Sequence, residues 1–508
     1  MIAKNRGLGI ALSYTNTFLS MISGLFLSSF MLRQLGDTDY GVYQTMSSFA
    51  NYLVLLEFGT GTVLSRNLSA ARAQGNVKTE IEKNISTIWT ITSALSLLIL
   101  MVSGIFYASI DTIYAKSLTP QQIVDGRQMF ALITVFLIAS FMAHTLNGVV
   151  LAHEHYTYAS TMAIIKLVTR LVLLVLLIGR FKQAVIICVV DAAINVLVVV
   201  YTFFYCQRNF GIKINFRHFD KAILHTSLPL CLALFLQTIV NQANNTVGKF
   251  VLGVMAGPKD VALYSVGLYI FSVFSSLSVI PVSAYVPQVT KDVVSGREGL
   301  DLTKTLVQPC RTIVLVSGSI LFGFFACGRQ FVSIVYGERY LLAWVIAIIL
   351  TAPSFLNMSN AVVLNVLNAK NKRHVRSLLL MLTTALNIGM TIVGIRHYGI
   401  LAAAAATGIA TLLQVIMMNI YYSKAIKIKV GYLFRNIFAG ILPFQLLGAV
   451  VGFAIGVWIP NIYAGFLCAG CTYVLVAFGG YWRFGKNETE RQMVVNLWRK
   501  LVKRKTAA

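Results

Sequence analysis

The stretch Leu35-Gly-Asp-Thr-Asp-Tyr-Gly-Val-Tyr43 returns, loosened, as Ala256-Gly-Pro-Lys-Asp-Val-Ala-Leu-Tyr264. Gly36 aligns with Gly257, Asp39 with Asp260 and Tyr43 with Tyr264, at a constant offset of 221 positions, the distance from 36 to 257 and from 43 to 264. The same offset carries Gly75 onto Gly296 and Lys83 onto Lys304; backwards it carries Asn16 onto Gln237 and Thr17 onto Thr238. One short match means little, but a register kept over roughly seventy residues marks an internal repeat. Two copies in one apolar chain is a common construction of alternating-access transporters.

Composition places both copies in a membrane. The 508 residues are 57% hydrophobic and only 12% charged, far from a soluble globular balance. Apolar runs of about twenty residues, each long enough to cross a hydrocarbon core of about 30 Å, recur down the whole length. The expected fold is an all-α polytopic membrane protein with about fourteen transmembrane helices. They are predicted near 9–32, 41–64, 85–108, 128–151, 158–179, 183–206, 227–255, 261–286, 308–327, 341–366, 377–395, 400–422, 437–458 and 464–482. The Pro-interrupted stretch 279–287 is the least regular of them.

The net charge of +25 suggests nucleic acid at first sight, and topology removes that reading. With the N-terminus inside, most Lys and Arg fall in the tails and in the loops on the same side as the tails. This positive-inside asymmetry orients both termini to the cytoplasm and draws the basic tail Trp498-Arg-Lys-Leu-Val-Lys-Arg-Lys505 to anionic headgroups. Lys4 and Arg6 resemble a signal n-region, but the segment that follows is long, rich in Ser, Thr and Asn, and lacks an A-x-A site, so it reads as the first span. The seven cysteines lie in or beside apolar spans, which argues against a disulfide framework.

Several enzyme classes are excluded by motif. The loops are short, leaving no room for a soluble catalytic domain, and the sequence holds no P-loop and no HExxH. His153-Glu154-His155 sits at a helix end, where neighbours one and two apart diverge rather than converge on a metal. Cys468-Ala-Gly-Cys471 lies inside an apolar span without further ligands. Neither a metal nor a cofactor is expected, and the chain is not expected to be an enzyme.

The informative chemistry is polar and lies within the spans. In the first span Ser13, Asn16, Thr17, Ser20 and Gly24 recur at helical spacing. The seventh span repeats the stripe with Gln237, Thr238, Asn241 and Asn245. Matched polar stripes in two copies are expected to face a water-filled cavity; the alternative use is hydrogen bonding between neighbouring helices. Lys166 and Arg170, four apart, share one face of the fifth span. A hairpin turning near Arg180 brings Arg170 level with Asp191, as an ion pair, and Lys166 level with Asn195. Lys249 shares a helix face with Asn245, Gln242 and Thr238. Intramembrane cations cost enough on insertion to be functional by default, and Lys166, Arg170 and Lys249 are read as an anion site. Asp191 and Glu57 are the candidate ion-pairing or coupling acids. Cations among hydroxyls and amides suit an anion that carries sugars.

Three runs carry a family resemblance: Leu35 to Tyr43, Glu57-Phe-Gly59 with Ser65-Arg66, and Leu252-Gly253 with Ala262-Leu-Tyr264. Together they resemble the bacterial Wzx-type polysaccharide flippases, which export O-antigen and capsule repeat units. These belong to the multidrug/oligosaccharidyl-lipid/polysaccharide exporter superfamily. The resemblance covers essentially the whole chain, through short motifs. The family often has an acid before the basic residue at position 249, where this chain has Gly248, so a charge relay there is not expected.

The resemblance implies a MATE-like fold of two parallel six-helix repeats, 1–222 and 223–425, with a hairpin and basic cytoplasmic tail over 426–508. It implies a flippase in the bacterial inner membrane that moves undecaprenyl-pyrophosphate-linked oligosaccharide outward for cell-surface polysaccharide biosynthesis. The implied partners are this lipid-linked oligosaccharide, membrane lipids and the polysaccharide polymerase machinery, with no nucleic acid. A multidrug exporter of the same fold, or an integral-membrane glycan polymerase or ligase, are the alternatives.

Overall fold

The computed structural model describes residues 6–57, 59–73, 78–212, 219–225, 227–228, 231, 248–370, 374–485, 487 and 490. The chain runs through α1 (Arg6–Leu53), a 3-10 turn (Val54–Glu57), α2 (Thr60–Ala73), α3 (Lys78–Tyr114), α4 (Pro120–Ala152), α5 (Tyr156–Phe181) and α6 (Val185–Phe210). A helical stretch α7 (248–255) precedes α8 (Pro258–Val294), α9 (Gly299–Tyr336), α10 (Leu341–Ser359) and α11 (Val363–Ala369). Then come α12 (His374–Tyr398), α13 (Ile400–Ala425), α14 (Val430–Phe438), α15 (Leu442–Trp458) and α16 (Ile462–Gly480).

Among the described residues eleven helices are long and apolar enough to cross a membrane, or up to twelve with the bent pair α14–α15. The protein is an all-α, multi-span membrane protein. Three features account for the difference from the fourteen runs of the sequence. The first two predicted spans form one 48-residue helix, α1, which changes direction at Gly36 (φ 78°, ψ 174°). The second of them ends early, at the 3-10 turn, and resumes as α2 after Gly59 (φ 63°). Most of the seventh lies outside the described residues. The Pro-interrupted stretch is helical throughout, inside the 37-residue α8.

Gly36 and Gly257, paired by the repeat, both adopt positive φ (78° and 106°), a region that suits glycine because it has no Cβ. Each ends one helix so that the next can begin. Gly41, five residues on, lies against the backbone of Pro258, and a side chain there would strike the Pro258 carbonyl. The two copies of the motif therefore touch at backbone level.

By packing, the chain divides into two compact units. The first comprises Met1–Val266 and Ile388–Ala403. Its helix α4 starts at a capping box, Thr119 to Gln122, with Pro120 in the first turn. Helices α2 and α4 cross with Gly61 and Gly148 in contact; a Cβ on Gly61 would meet the His144 carbonyl, and one on Gly148 the Gly61 carbonyl. Small residues allow such close crossing in membranes. Beside it, Thr145 bridges Thr60 (3.1 Å) and Thr92 (2.9 Å) through hydroxyls. Phe106 packs on Phe130 and Phe49 in the neighbouring core. Helix α5 exposes Ile165, Val168, Val172 and Leu176 at spacings of three and four, a lipid-facing stripe.

The second unit comprises Gly267–Asn387 and Ala404–Ala508. Its α15–α16 hairpin packs on α9 along Gly448, Gly452 and Gly456, which face Tyr473 and Ala477, Ala469 and Ala326, and Gln330 in turn. These three glycines let the hairpin pack closely on α9. At the other end of α9, Arg311 is only 2% exposed. Its Nη1 donates to the carbonyls of Asn436 and Ala439 (both 2.8 Å), and its Nη2 to that of Gly485 (2.9 Å). Nε and Nη2 also reach the Glu490 carboxylate at 2.8 and 3.2 Å. Every N–H of the guanidinium is used. Burial alone would raise the Glu490 carboxyl, but the bonds from Arg311 and from the Asn487 amide outweigh it and hold it below the usual carboxylate value.

Arg311→Gln should strip three carbonyls and a half-buried carboxylate of their donor and destabilise the second unit by roughly 3–5 kcal/mol. Thermal unfolding of the purified protein reads the loss. Because the Glu490 carboxyl is depressed on folding, its contribution is present at neutral pH and fades as pH falls below about 4. Arg311→Gln should be insensitive to that acid step; an equal acid loss in both proteins would contradict the pairing.

Candidate functional site

Part of the polar set of the spans meets in the first unit. On α5, Lys166 and Arg170 point toward α6, where Asp191 and Asn195 repeat the same four-residue spacing. Arg170 Nε donates to Asp191 Oδ1 at 2.5 Å and Nη2 to Oδ2 at 2.9 Å, a bidentate pair. One turn along, Lys166 Nζ donates to Asn195 Oδ1 at 2.7 Å, and Asn195 Nδ2 donates back to the Asp191 carbonyl at 2.7 Å. These are the partners that the hairpin register predicts. The two cations differ in their partners: Arg170 meets a carboxylate, whereas Lys166 meets an uncharged amide.

Sequence reasoning missed the contribution of Tyr40 and Gln44, in the half of α1 beyond Gly36. After the Gly36 kink, Tyr40 and Gln44 stand one turn apart. Lys249 Nζ donates to Gln44 Oε1 at 3.1 Å, and Gln44 Nε2 donates to the Tyr40 hydroxyl at 2.7 Å. Tyr43, hydrogen-bonded to Ser47, lies within electrostatic reach of Arg170 and Asp191, and Tyr40 within reach of Arg170. Lys249 therefore also faces an amide rather than a carboxylate. Gln44 carried a signal of its own, an amide inside an apolar run.

Of the first-span stripe, Asn16 and Ser20 are half-buried and Thr17 is exposed. The Asn16 Oδ1 atom is buried and has no hydrogen-bond partner among the described residues. The Ser20 carbonyl accepts from Ser23 at 3.3 Å. The side chain of Ser13, and Gln237, Thr238, Asn241, Gln242 and Asn245 of the seventh span, lie outside the described residues. Glu57, on the 3-10 turn, pairs with His144 of α4, Oε1 to Nδ1 at 3.0 Å. His144, an ionisable side chain in mid-span, was legible by the rule applied to the lysines and was passed over.

Among the described residues no group of three His, Cys, Asp or Glu side chains could hold a metal. His153 ends α4, stacked on Phe210 at 4.0 Å, and the His155 ring pairs with the Tyr205 hydroxyl at 2.8 Å. Both histidines serve the helix end. Cys468 and Cys471 are exposed free thiols on α16.

Asp191→Asn should leave Arg170 unpaired at membrane depth and destabilise the protein by roughly 3–5 kcal/mol. Exchanging the pair, Arg170→Asp with Asp191→Arg, should recover folded yield above either single change. Equal losses in single and double variants, read by size-exclusion yield and melting temperature, would contradict a direct pair.

The fold is shared with known exporters. The structure superposes on the lipid II flippase MurJ in its inward closed conformation with a TM-score of 0.69 at 14% identity, covering 93% of this chain and 99% of that one. An inward-facing multidrug resistance MATE transporter of the MOP superfamily gives 0.64 at 13% identity, covering 82% and 96%. A MATE transporter from Vibrio cholerae gives 0.54 at 12%, covering 82% and 96%. No curated protein matches the chain by sequence. Residues 8–291 match the family described as polysaccharide biosynthesis protein, more than half of the sequence. On that match the chain belongs to the polysaccharide biosynthesis protein family, and it shares its fold with those flippase and MATE transporter structures.

Proposed function

We propose that the chain is a flippase for undecaprenyl-pyrophosphate-linked oligosaccharide, moving repeat units from the inner to the outer leaflet of the bacterial cytoplasmic membrane. One observation carries the reading: Lys166 and Lys249 are intramembrane lysines that, among the described residues, donate to amides, Asn195 and Gln44. An amide orients an ammonium without cancelling its charge, so each cation keeps an attraction for a pyrophosphate or an acidic sugar. Hydroxyls and amides complete the fit to glycan oxygens. Asn16, with a buried acceptor unmet among the described residues, is suited to a sugar hydroxyl; Thr17 and Ser20 share its helix, and Gln237, Thr238, Asn241 and Asn245 are the polar stripe of the second copy in sequence. Arg170 and Asp191 hold α5 against α6.

In this reading two lobes, 1–222 and 223–425, rock about the site in alternating access, while 426–508 forms the appended hairpin and basic tail. Both termini face the cytoplasm, and the polymerase machinery receives the product outside. The protein transports and performs no covalent chemistry. A cationic drug is poorly served by a site whose unneutralised charges are lysines.

Lys166→Gln and Lys249→Gln should each lower surface-polysaccharide export at least tenfold in cells lacking the chromosomal copy. Membrane insertion should be retained, since removing a cation lowers the insertion cost. Arg at either position should restore more export than Gln. Normal export by both Gln variants would contradict the anion site.

A further inference from the structure

From Arg339 to Asn487 the sequence contains no Asp and no Glu. Within that stretch Lys424, Lys427, Lys429, Arg435 and Arg483 gather at one end of the second unit, where membrane-length helices meet the surface. Helix α13 ends at this level and α9 begins there, because the Lys429 amide donates to the Thr303 hydroxyl near the start of α9 at 3.1 Å.

The loop after α13 is a built structure. Ile426 and Ile428 are each 1% exposed and belong to the core around α9, while Lys424, Lys427 and Lys429 are exposed. Apolar side chains turn in and basic ones out. Lys427 takes a left-handed backbone (φ 56°), a conformation uncommon outside glycine, and the Ile428 amide closes the turn on the Tyr422 carbonyl at 3.3 Å.

Helix α14 continues the same face. Leu433 and Ile437 are buried, Tyr432 and Arg435 are exposed, and α14 is bent by 48° from α15. Against it lies a π-turn (Tyr481–Gly485) at the end of α16, with Trp482, Arg483 and Phe484 exposed. A Cβ on Gly485 would strike the Gly440 carbonyl, so turn and helix touch at backbone level. Arg311 pins both, through the carbonyls of Asn436, Ala439 and Gly485.

The described acids at this end have other partners or positions. Glu490 bonds Arg311, Glu298 meets Lys370 at 2.5 Å and Asp292 meets Arg297 at 2.8 Å. Asp301 stands on α9 three positions before Lys304. Among the described residues none of Lys424, Lys427, Lys429, Arg435 and Arg483 has a carboxylate at salt-bridge distance.

We infer that 424–435 and 481–485 form a binding platform for the headgroups of anionic phospholipids. Lysines and arginines at a span end attract lipid phosphates, and Tyr432 and Trp482 are of the kind that settles at headgroup depth. A soluble polyanion would gain nothing from exposed Trp482 and Phe484, whereas a headgroup with acyl chains beneath it meets both the charges and the rings. The platform concerns lipid of the surrounding leaflet and does not depend on what the protein exports.

The full chain, purified in detergent, is titrated with phosphatidylglycerol or phosphatidylcholine, and bound lipid is counted by native mass spectrometry. Phosphatidylglycerol should bind roughly tenfold more tightly. The triple variant Lys424→Gln, Lys427→Asn, Lys429→Gln should weaken phosphatidylglycerol roughly fivefold and leave the lipid-free melting temperature unchanged; Asn at 427 suits the left-handed backbone. Arg at the same three positions should preserve binding. Arg435→Gln, which leaves the loop untouched, should weaken binding in the same direction. A control that removes equal charge from the basic tail, Arg499→Gln, Lys500→Gln, Lys503→Gln, should leave the affinity unchanged. Equal losses in the loop and tail triples would mean diffuse attraction and overturn the platform. So would unchanged affinity in the loop triple or in Arg435→Gln, equal binding of the two lipids, or displacement of phosphatidylglycerol by inorganic phosphate, which would point to a soluble anion.

Discussion

A charge buried in hydrocarbon must be met by something, and how it is met separates structure from function in this protein. Arg170 is met by a carboxylate in bidentate geometry; it is neutral as a unit and fastens α5 to α6. Lys166, one turn away on the same face, is met by an amide that is itself tied to the Asp191 carbonyl. The first arrangement pairs opposite charges, and the second gives the cation a neutral amide partner. Lys249 repeats the second arrangement with Gln44. In the proposed reading, the nature and position of the counter-group, not the presence of a cation, mark the site.

Backbone contacts bring these side chains together. Gly36 turns α1 so that Tyr40, Tyr43 and Gln44 run beside the α5–α6 ladder and α7. Gly41 against Pro258, and Gly253 against the Thr45 side chain, set α7 and the start of α8 close to α1. That closeness lets Lys249 reach an amide 205 positions away. Where a membrane offers no hydrophobic drive between helices, such close approaches and hydroxyl bridges as Thr60–Thr145–Thr92 hold the bundle.

The spans were legible because a run of apolar residues has one meaning at hydrocarbon length. The α5–α6 pairing was legible because a short hairpin has essentially one register, so Arg170 and Asp191 could be paired by position alone. Breaks inside apolar runs were not: Val54–Glu57 reads as continuous helix, and only the Glu57–Phe–Gly59 sequence marks a stop. Arg311 was invisible for a different reason. Its partners at Asn436, Ala439, Gly485 and Glu490 are more than a hundred residues distant, and backbone carbonyls leave no mark in a sequence. Gln44 was visible as a polar residue, but its partner Lys249 lies on α7, 205 positions away, with no periodic relation to it. The conformation of Gly257 was written in the repeat, since its counterpart Gly36 had the same turn to make.

The most direct measurement asks whether the polar lining meets water from both faces of the membrane. Single cysteines at Asn16 and at Gln44, in a cysteine-free chain in oriented membranes, are exposed to a charged thiol reagent from one side at a time, with Leu176 on the lipid-facing stripe as the control position. Alternating access predicts that both lining positions react from the cytoplasmic side and also from the outer side, while Leu176→Cys stays inert to each. Protection of Asn16 and Gln44 from both sides would make them helix-packing contacts and would contradict transport through this site.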